Sequence, residues 1–314
     1  MEQKVKINFQ QERDFGTIFS DTLSFLKQNF KSFFSSVILI VGPIILVMGL
    51  AYAFIQTTIM SAFTQQRDPS NPFGMFTQDY FMALATIMLC GFISNILLSA
   101  VSYNYLALYQ EKPIDEPITV SEVAKRVWDN IGRLLISSLV FLLVVLLTIG
   151  VLVLVSVGLF SGMGIGFIIL ICFLLFIAAA IIMPVVSYFI PASFYVVVRD
   201  NLFIFPAMAK VKKYLSGNFW WTWLIMVVAM IALGILQGIF NLPATILSMG
   251  KMFSRISSGN TESDSSILLM VFYTLGMFLT YCMYSITHII AAFNFMSHEE
   301  KHEGKGMMAQ IESI

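Results

Sequence analysis

The segment His298-Glu299-Glu300-Lys301-His302 holds the residues of this chain best suited to chemistry. It satisfies H-E-x-x-H, in which two histidines one helical turn apart bind zinc and the glutamate between them activates a water. Zinc helices usually place uncharged residues where Glu300 and Lys301 stand. The obvious third ligand, His288, lies about 15 Å away along the same helix. We interpret the segment as a charged helix end, with a zinc metalloprotease using His298, Glu299 and His302 as a remote alternative.

The remaining candidates are polar residues inside apolar runs: Asn95, Gln237, Thr280 and His288. They could line a polar path or bridge helices by hydrogen bonds, and the second role is more common. The apolar runs contain no Asp, Glu, Lys or Arg, which disfavours an ion-coupled pump. The three cysteines lie far apart with no C-x-x-C spacing, and we predict neither a cofactor nor an enzymatic activity.

The elements that position these residues follow from composition. The chain has 58% hydrophobic and 11% charged residues and a mean hydropathy of +0.84, which indicates an all-α, polytopic membrane protein. Each apolar run is long enough to cross a hydrocarbon core of about 30 Å. We expect the third and fourth spans to form a hairpin that turns at Ser161-Gly162-Met163-Gly164. The six predicted spans are Phe33–Gln56, Tyr80–Leu108, Leu134–Phe160, Ile165–Val198, Phe219–Phe240 and Ile267–Met296.

The basic residues predict the orientation. Fifteen of the eighteen lie in the N-terminal segment, the second and fourth interhelical segments and the tail, and only Arg67, Lys251 and Arg255 lie on the opposite side. By the positive-inside rule, both termini are cytoplasmic and the protein is multi-pass in the cell (inner) membrane. The net charge is zero, so the charge balance gives no case for nucleic acid binding.

The sequence predicts a single membrane domain, 1–314, built from one unit repeated three times. Asn29, Asn130 and Asn218 each stand where a basic amphipathic helix meets an apolar run. The repeats span about 14–112, 116–200 and 203–302, followed by a cytoplasmic tail at 303–314. Each consists of a short interfacial helix and a transmembrane hairpin. Thr119-Val120-Ser121-Glu122 is a capping box that starts the second interfacial helix.

The asparagine at each joint has two interpretations. Asn tolerates the left-handed conformation that ends a helix, so it would terminate the surface helix at a corner; a ligand-binding triad is the alternative. Glycine pairs at G-x-x-x-G spacing would allow close helix approach within the molecule rather than dimerisation. We expect polar extracytoplasmic loops at Thr57–Asp79 and Asn241–Ser266. The glycines in question are Gly158, Gly162, Gly166, Gly234 and Gly238.

One stretch carries a resemblance. The segments that carry the resemblance are Phe189-Ile190-Pro191-Ala192-Ser193-Phe194-Tyr195-Val196-Val197-Val198-Arg199-Asp200, Ala207-Met208-Ala209-Lys210 and Gly217-Asn218-Phe219-Trp220. They resemble uncharacterised bacterial six-helix membrane families. These include the membrane domain fused to some glycerophosphodiester phosphodiesterases. In those enzymes the chemistry belongs to a separate soluble barrel. The resemblance therefore implies a membrane module without its own known activity, and it carries over no catalytic residue.

The sequence thus favours a non-enzymatic membrane scaffold or accessory subunit. The bilayer is one expected partner, and proteins docked on the cytoplasmic face are another, because all conspicuous amphipathic and charged segments face that side. A transporter or lipid-handling protein with a cavity between the hairpins is the alternative.

Overall fold

A computed structural model describes residues 6–64, 76–113, 116–160, 165–258 and 265–304 of the chain. Over these residues the chain forms eight α-helices and no strand. We expect α-helices for such apolar runs, because a helix forms its backbone hydrogen bonds within one segment. In chain order the helices are α1 (Phe15–Ile40), α2 (Gly42–Thr64), α3 (Gln78–Glu111), α4 (Val120–Phe160), α5 (Ile165–Arg199), α6 (Ile204–Leu215), α7 (Phe219–Ser258) and α8 (Ser265–Glu303).

The predicted all-α polytopic fold class is confirmed. Six of the described helices contain a segment that is long and apolar enough to cross a membrane, so the chain is an integral, multi-pass membrane protein. The hairpin turn predicted at Ser161-Gly162-Met163-Gly164 lies outside the described residues. The six segments are Gly42–Met60, Gln78–Glu111, Val120–Val151, Ile169–Arg199, Phe219–Ser254 and Ile267–Glu303.

A break at Val41 divides the first predicted span, Phe33–Gln56. α1 ends at Ile40, and Pro43 falls in the first turn of α2, where the missing N–H of proline loses no helical hydrogen bond. Backbone hydrogen bonds continue across the break. The segment able to cross the membrane accordingly begins at Gly42.

The prediction that the surface helix ends at the joint asparagine is wrong for the first two repeats. α1 passes through Asn29 and α4 passes through Asn130 without interruption, so neither joint is a corner. In α4 the amphipathic segment and the apolar run share the 3.6-residue period with no proline between them, so one helix continues through both. In the first repeat, α1 continues past Asn29 and ends at Ile40. The third repeat does have a separate helix, the twelve-residue α6. There Gly217, with φ 86°, takes the left-handed conformation rather than Asn218.

The predicted loop Asn241–Ser266 is wrong as far as Ser258, because α7 continues helically through Pro243. Residues 259–264 lie outside the described part, as do residues 65–75 of the other predicted loop, Thr57–Asp79. Apolar residues at helical spacing run through the segment between the polar ones and favour helix over loop. They are Leu242, Ile246, Met249 and Phe253.

The chain folds as two compact units. Unit 1 comprises Met1–Phe30, Ser99–Met230 and Ile286–Ile314, and unit 2 comprises Lys31–Leu98 and Ile231–Ser285. In unit 1, α6 packs against α4 and α5 and buries Ile204, Ala207, Val211 and Tyr214. The threefold repeat itself stays a prediction.

In unit 2 the close approaches between helices occur at Gly49 and Gly276. A Cβ added at Gly49 would lie 3.1 Å from Cγ2 and 3.2 Å from the carbonyl oxygen of Thr274. One added at Gly276 would lie 2.6 Å from Oδ1 of Asn241. Glycine is therefore required at these two points so that helices can approach each other.

The glycine pattern singled out in α7 does not make such a contact. A Cβ added at Gly234 or Gly238 would meet nothing within 4 Å, so the predicted close approach there is wrong. Of the other predicted set, Gly162 lies outside the described residues. Spacing alone could not show which face of α7 meets a neighbouring helix.

Candidate functional site

A non-helical N-terminal arm, residues 6–14, packs against the ends of helices in unit 1. Phe9 stacks on Phe293 of α8 with ring centroids 5.4 Å apart and meets Tyr109 of α3 edge-on at 5.7 Å. Lys6 Nζ donates hydrogen bonds to the carbonyls of Gln110 and Lys112, at 2.8 and 2.9 Å. Carbonyls at the end of a helix lack intrahelical partners, so Lys6 caps the C-terminus of α3.

Arg13 fixes the other end of the arm. Its side chain is fully buried, and Nε donates to Oδ2 of Asp21 at 2.8 Å. The guanidinium lies 5.0 Å over the ring of Phe293, and the backbone amide donates to Oγ of Ser297 at 2.8 Å. Burial lowers the pKa of Arg13, although Asp21 opposes that shift. The guanidinium also donates to three carbonyls of the arm, those of Asn8, Phe9 and Gln11.

Four charged residues, three in α5, α6 and α8 and one directly after α5, form what we call the ionic network: Arg199, Lys210, Glu299 and Asp200. Arg199 donates two hydrogen bonds to the carboxylate of Glu299, at 2.5 and 2.8 Å. Its Nε donates to Asp200 at 2.7 Å. Lys210 Nζ lies 2.6 Å from Asp200 and 3.0 Å from Glu299. Both cations thus contact both carboxylates, and the network has no net charge.

The surroundings of the network strengthen it. The Arg199 guanidinium lies 5.3 Å from the ring centres of Tyr195 and Phe295, an arrangement that favours a partly desolvated cation. Burial alone would raise the pKa of Asp200, but hydrogen bonds from Arg199 and Lys210 outweigh it and lower that pKa.

An open cavity of about 580 Å³ separates the arm from the ionic network, and we call it the arm cavity. Its lining combines three acids with three bases. It is of a size that could hold a small ligand or the side chains of a bound peptide. The charged lining residues are Lys6, Arg199, Asp200, Lys210, Glu299 and Glu300.

The residues of the H-E-x-x-H segment have other partners. Glu299, the would-be base, belongs to the ionic network. His298 is buried, and its Nε2 lies 2.9 Å from Oγ1 of Thr222. His302 is exposed, with its ring 5.5 Å from that of Tyr214. Among the described residues, no three His, Cys, Asp or Glu side chains are placed to hold one metal ion. These contacts favour a structural helix end over a zinc site.

A second open cavity, of about 680 Å³, is lined in part by Arg13 in unit 1. His298, Ser297 and Lys301 of α8 line it together with Asn218 and Trp221. Lys301 Nζ lies 3.4 Å from Oδ1 of Asn218 and 3.9 Å from Glu12. In this lining the hydroxyl and the backbone amide of Thr17 both donate to Oδ1 of Asp14 at 2.7 Å, the arrangement of a helix N-cap at the start of α1.

The three joint asparagines have separate partners rather than a common ligand. Asn29 accepts from the hydroxyl of Tyr105 at 3.3 Å, and Asn130 donates to Oδ1 of Asn104 at 2.9 Å. Asn218 accepts from Lys301. Asn29 and Asn130 thus each link their own helix to the C-terminal part of α3, and Asn218 links the start of α7 to the end of α8. The residue type alone did not indicate this role.

The polar residues within the spans are not gathered into one path within either unit. Gln237 and Thr280 line a cleft of only about 10 Å³ in unit 2, and Asn95 is exposed. His288, in unit 1, is buried with Nδ1 2.9 Å from the hydroxyl of Tyr103. That hydroxyl donates to the carbonyl of Pro191. It has one proton to give, so the His288 Nδ1 carries the hydrogen of their shared bond.

The connection between α3 and α4 confirms one sequence motif. The Thr119 amide donates to Oε2 of Glu122 at 2.9 Å, and the Glu122 amide donates to Oγ1 of Thr119 at 3.4 Å, as a capping box requires. Lys112 Nζ reaches Glu122 at 2.6 Å and Glu116 at 2.8 Å. Hydrogen bonds to these two carboxylates raise the pKa of Lys112.

Sequence reasoning missed the arm and the ionic network. The available signal was the alternation of Ile7 and Phe9 with polar residues, which predicts an extended segment with one buried face. The pairing of Arg199 with Glu299 joins residues 100 positions apart, and no local pattern predicts it. No protein-family model, curated protein or solved structure matches this chain.

Proposed function

We propose that this integral membrane protein is a non-enzymatic scaffold or accessory subunit that binds a protein partner through the arm cavity. The observation that carries the proposal is the ionic network at the wall of that cavity, where both carboxylates are held by both cations. Such groups are positioned to recognise a partner. They are poorly placed to transfer protons, because their charges are already stabilised.

The cavity has the features of a preorganised docking site. Its walls come from the arm and from the ends of α3, α5 and α8 together with α6. Aromatic stacking and the buried Arg13 hold the arm in place, so little ordering is needed when a partner binds. Equal numbers of acids and bases suit a partner surface that also carries both signs.

We place this site on the cytoplasmic face of the cell (inner) membrane. Fourteen of the eighteen basic residues belong to unit 1, and the other four are Lys31, Arg67, Lys251 and Arg255. The two termini belong to unit 1 as well. The positive-inside rule then favours a cytoplasmic location for both.

A matched pair of substitutions tests the proposal. Gln10 is exposed at the lining of the arm cavity, and Gln78 is exposed at the start of α3 in unit 2. Gln10→Trp should fill the cavity mouth, while Gln78→Trp adds the same ring elsewhere. We expect the wild type and Q78W, purified from native membranes in mild detergent, to retain one stoichiometric partner. Q10W should lose it while keeping the same unfolding midpoint.

Retention of that partner by Q10W would overturn the proposed site. A wild-type protein that purifies alone at every detergent concentration, and whose liposomes take up a solute, would instead support the transporter alternative. The resemblance to bacterial six-helix membrane families is compatible with an accessory role, and it remains a prediction.

A further inference from the structure

Two surface patches in unit 1 combine exposed tryptophan with lysine. The first, the α4 patch, consists of Lys125 and Trp128, which lie one helical turn apart and therefore on one face. Trp128 is 67% exposed, and Lys125 is exposed. Asp129 is the neighbouring acid, and the described structure records no ion pair between it and Lys125.

The second, the α6–α7 patch, consists of Phe205, Lys212, Lys213 and Trp220. Phe205 and Lys212 are seven positions apart on α6 and share a face opposite its buried residues. Phe205 is 58% and Trp220 68% exposed. Lys213 lies 5.2 Å over the ring of Tyr214, and in the described part of the chain neither lysine forms an ion pair.

Both patches stand where charged surface gives way to exposed apolar surface. Beyond the α4 patch come the exposed Leu135 and Ile136 of the same membrane-crossing segment, and beyond Trp220 comes Leu224. Tryptophan and lysine concentrate at this boundary because an indole ring is partly apolar and lysine reaches the headgroups. α6 packs against α4, so the patches belong to neighbouring helices.

We infer that these patches bind anionic phospholipid headgroups of the surrounding leaflet. Charge complementarity selects this occupant, because three lysines without carboxylate partners are displayed beside rings that border lipid-facing side chains. A docked protein would have to cover the rings and the adjoining lipid-facing residues at the same time. The inference does not depend on the proposed protein partner, because neither patch lines the arm cavity.

The tryptophans themselves provide the probe. The chain has four, Trp128, Trp220, Trp221 and Trp223, and all lie in or directly beside these patches. Intrinsic fluorescence of the full-length protein in liposomes therefore reports on the patches and on the residues directly beside them. The probes are phosphatidylglycerol and phosphatidylcholine brominated near the headgroup end of the acyl chain, each present as a minor fraction of unbrominated phosphatidylcholine.

We expect brominated phosphatidylglycerol to quench more strongly than brominated phosphatidylcholine at equal mole fraction. The apparent preference should fall roughly fivefold for each lysine replaced, as in Lys125→Gln and Lys212→Gln. Lys251→Gln, near the other end of α7, is the matched control and should leave the preference unchanged. Far-ultraviolet circular dichroism of every variant should be the same.

Equal quenching by the two lipids would overturn the inference, as would a preference that survives the combined K125Q, K212Q and K213Q substitutions. Absence of quenching by either lipid would also overturn it, because the rings would then be covered by protein.

Discussion

At the scale of single residues, Arg13 joins three elements of unit 1. It joins the arm to α1 through Asp21 and to α8 through Phe293 and Ser297. A buried charge with this many partners cannot be removed without depriving Asp21 of its ion pair and leaving several carbonyls without that donor.

We predict that Arg13→Ala lowers the free energy of unfolding by about 3 kcal/mol or more, as is usual when one partner of a buried ion pair is removed. Lys301→Ala is the comparison, because Lys301 is half-exposed and lies 3.9 Å from Glu12. It should change stability by less than about 1 kcal/mol. Unfolding in mixed micelles of mild detergent and dodecyl sulfate measures both, and equal losses would contradict this view of Arg13.

The lowered pKa of Asp200 predicts that the stability of the fold depends on pH. Its pKa is lower in the folded protein than in the unfolded chain because Arg199 and Lys210 donate hydrogen bonds to it. A lowered carboxyl pKa stabilises the fold above the unfolded pKa of about 3.9, and that stabilisation is lost as pH falls through the folded value.

Asp200→Asn should therefore destabilise the protein at neutral pH, and the difference from wild type should shrink as pH falls below about 4. Thermal unfolding recorded between pH 3 and pH 7 gives the comparison. Asp129→Asn, at an exposed site, serves as the control and should track the wild type throughout. If D200N were less stable than the wild type by the same amount at every pH, loss of the ion pairs would not be the cause of its lower stability.

At the scale of elements, the continuity of α4 through Asn130 is the clearest departure from the sequence-based expectation. Gly132 lies inside α4, and a Cβ added there would meet nothing within 4 Å. Gly217 has φ 86° between α6 and α7, a conformation that side chains with a Cβ rarely adopt.

Replacing glycine by alanine should therefore have opposite effects on stability at these two positions. Gly132→Ala should stabilise the protein by about 0.5–1 kcal/mol, because alanine favours the helix interior. Gly217→Ala should destabilise it by about 1 kcal/mol or more. Thermal unfolding midpoints in detergent provide the test. A loss of stability in G132A would indicate a corner at that joint after all.

A second element-scale prediction concerns the contact between α7 and α8 in unit 2. Gly276→Ala would place its Cβ 2.6 Å from Asn241 Oδ1 and 3.2 Å from the Phe240 carbonyl oxygen, so we expect lower stability. The loss should be smaller in an Asn241→Ala background, because the nearest clashing atom is then absent. Gly238→Ala is the matched control and should be tolerated. Equal behaviour of G276A and G238A would contradict this packing.

These elements show what the sequence could predict and why. Hydropathy located all six membrane-crossing segments, and the capping box at Thr119 and Glu122 formed as expected, because both signals are local. The corner at Asn29 did not form, since a residue that tolerates a turn does not by itself interrupt a continuous helical period. The ionic network could not be predicted, because it depends on how distant helix ends meet.

At the scale of the whole molecule, the charge distribution predicts a single orientation. In a variant lacking Cys90, Cys172 and Cys282, a cysteine at Gln78 should react with a membrane-impermeant maleimide added to intact spheroplasts. A cysteine at Gln10 should react only after the membrane is opened. The reverse pattern would contradict cytoplasmic termini. Labelling of both sites in sealed cells would contradict a barrier between them.

The N-terminal arm also has a consequence for biosynthesis. The amide of Arg13 bonds a serine 284 positions later in the chain, and Phe9 stacks on a ring of the last helix. A ribosome delivers the arm before α8, so the contacts between the arm and that helix cannot form until α8 has been made. A nascent chain stalled before α8 would leave Arg13 and the ring of Phe9 without their contacts to that helix. Exposed apolar surface of this kind is what chaperones and membrane proteases recognise.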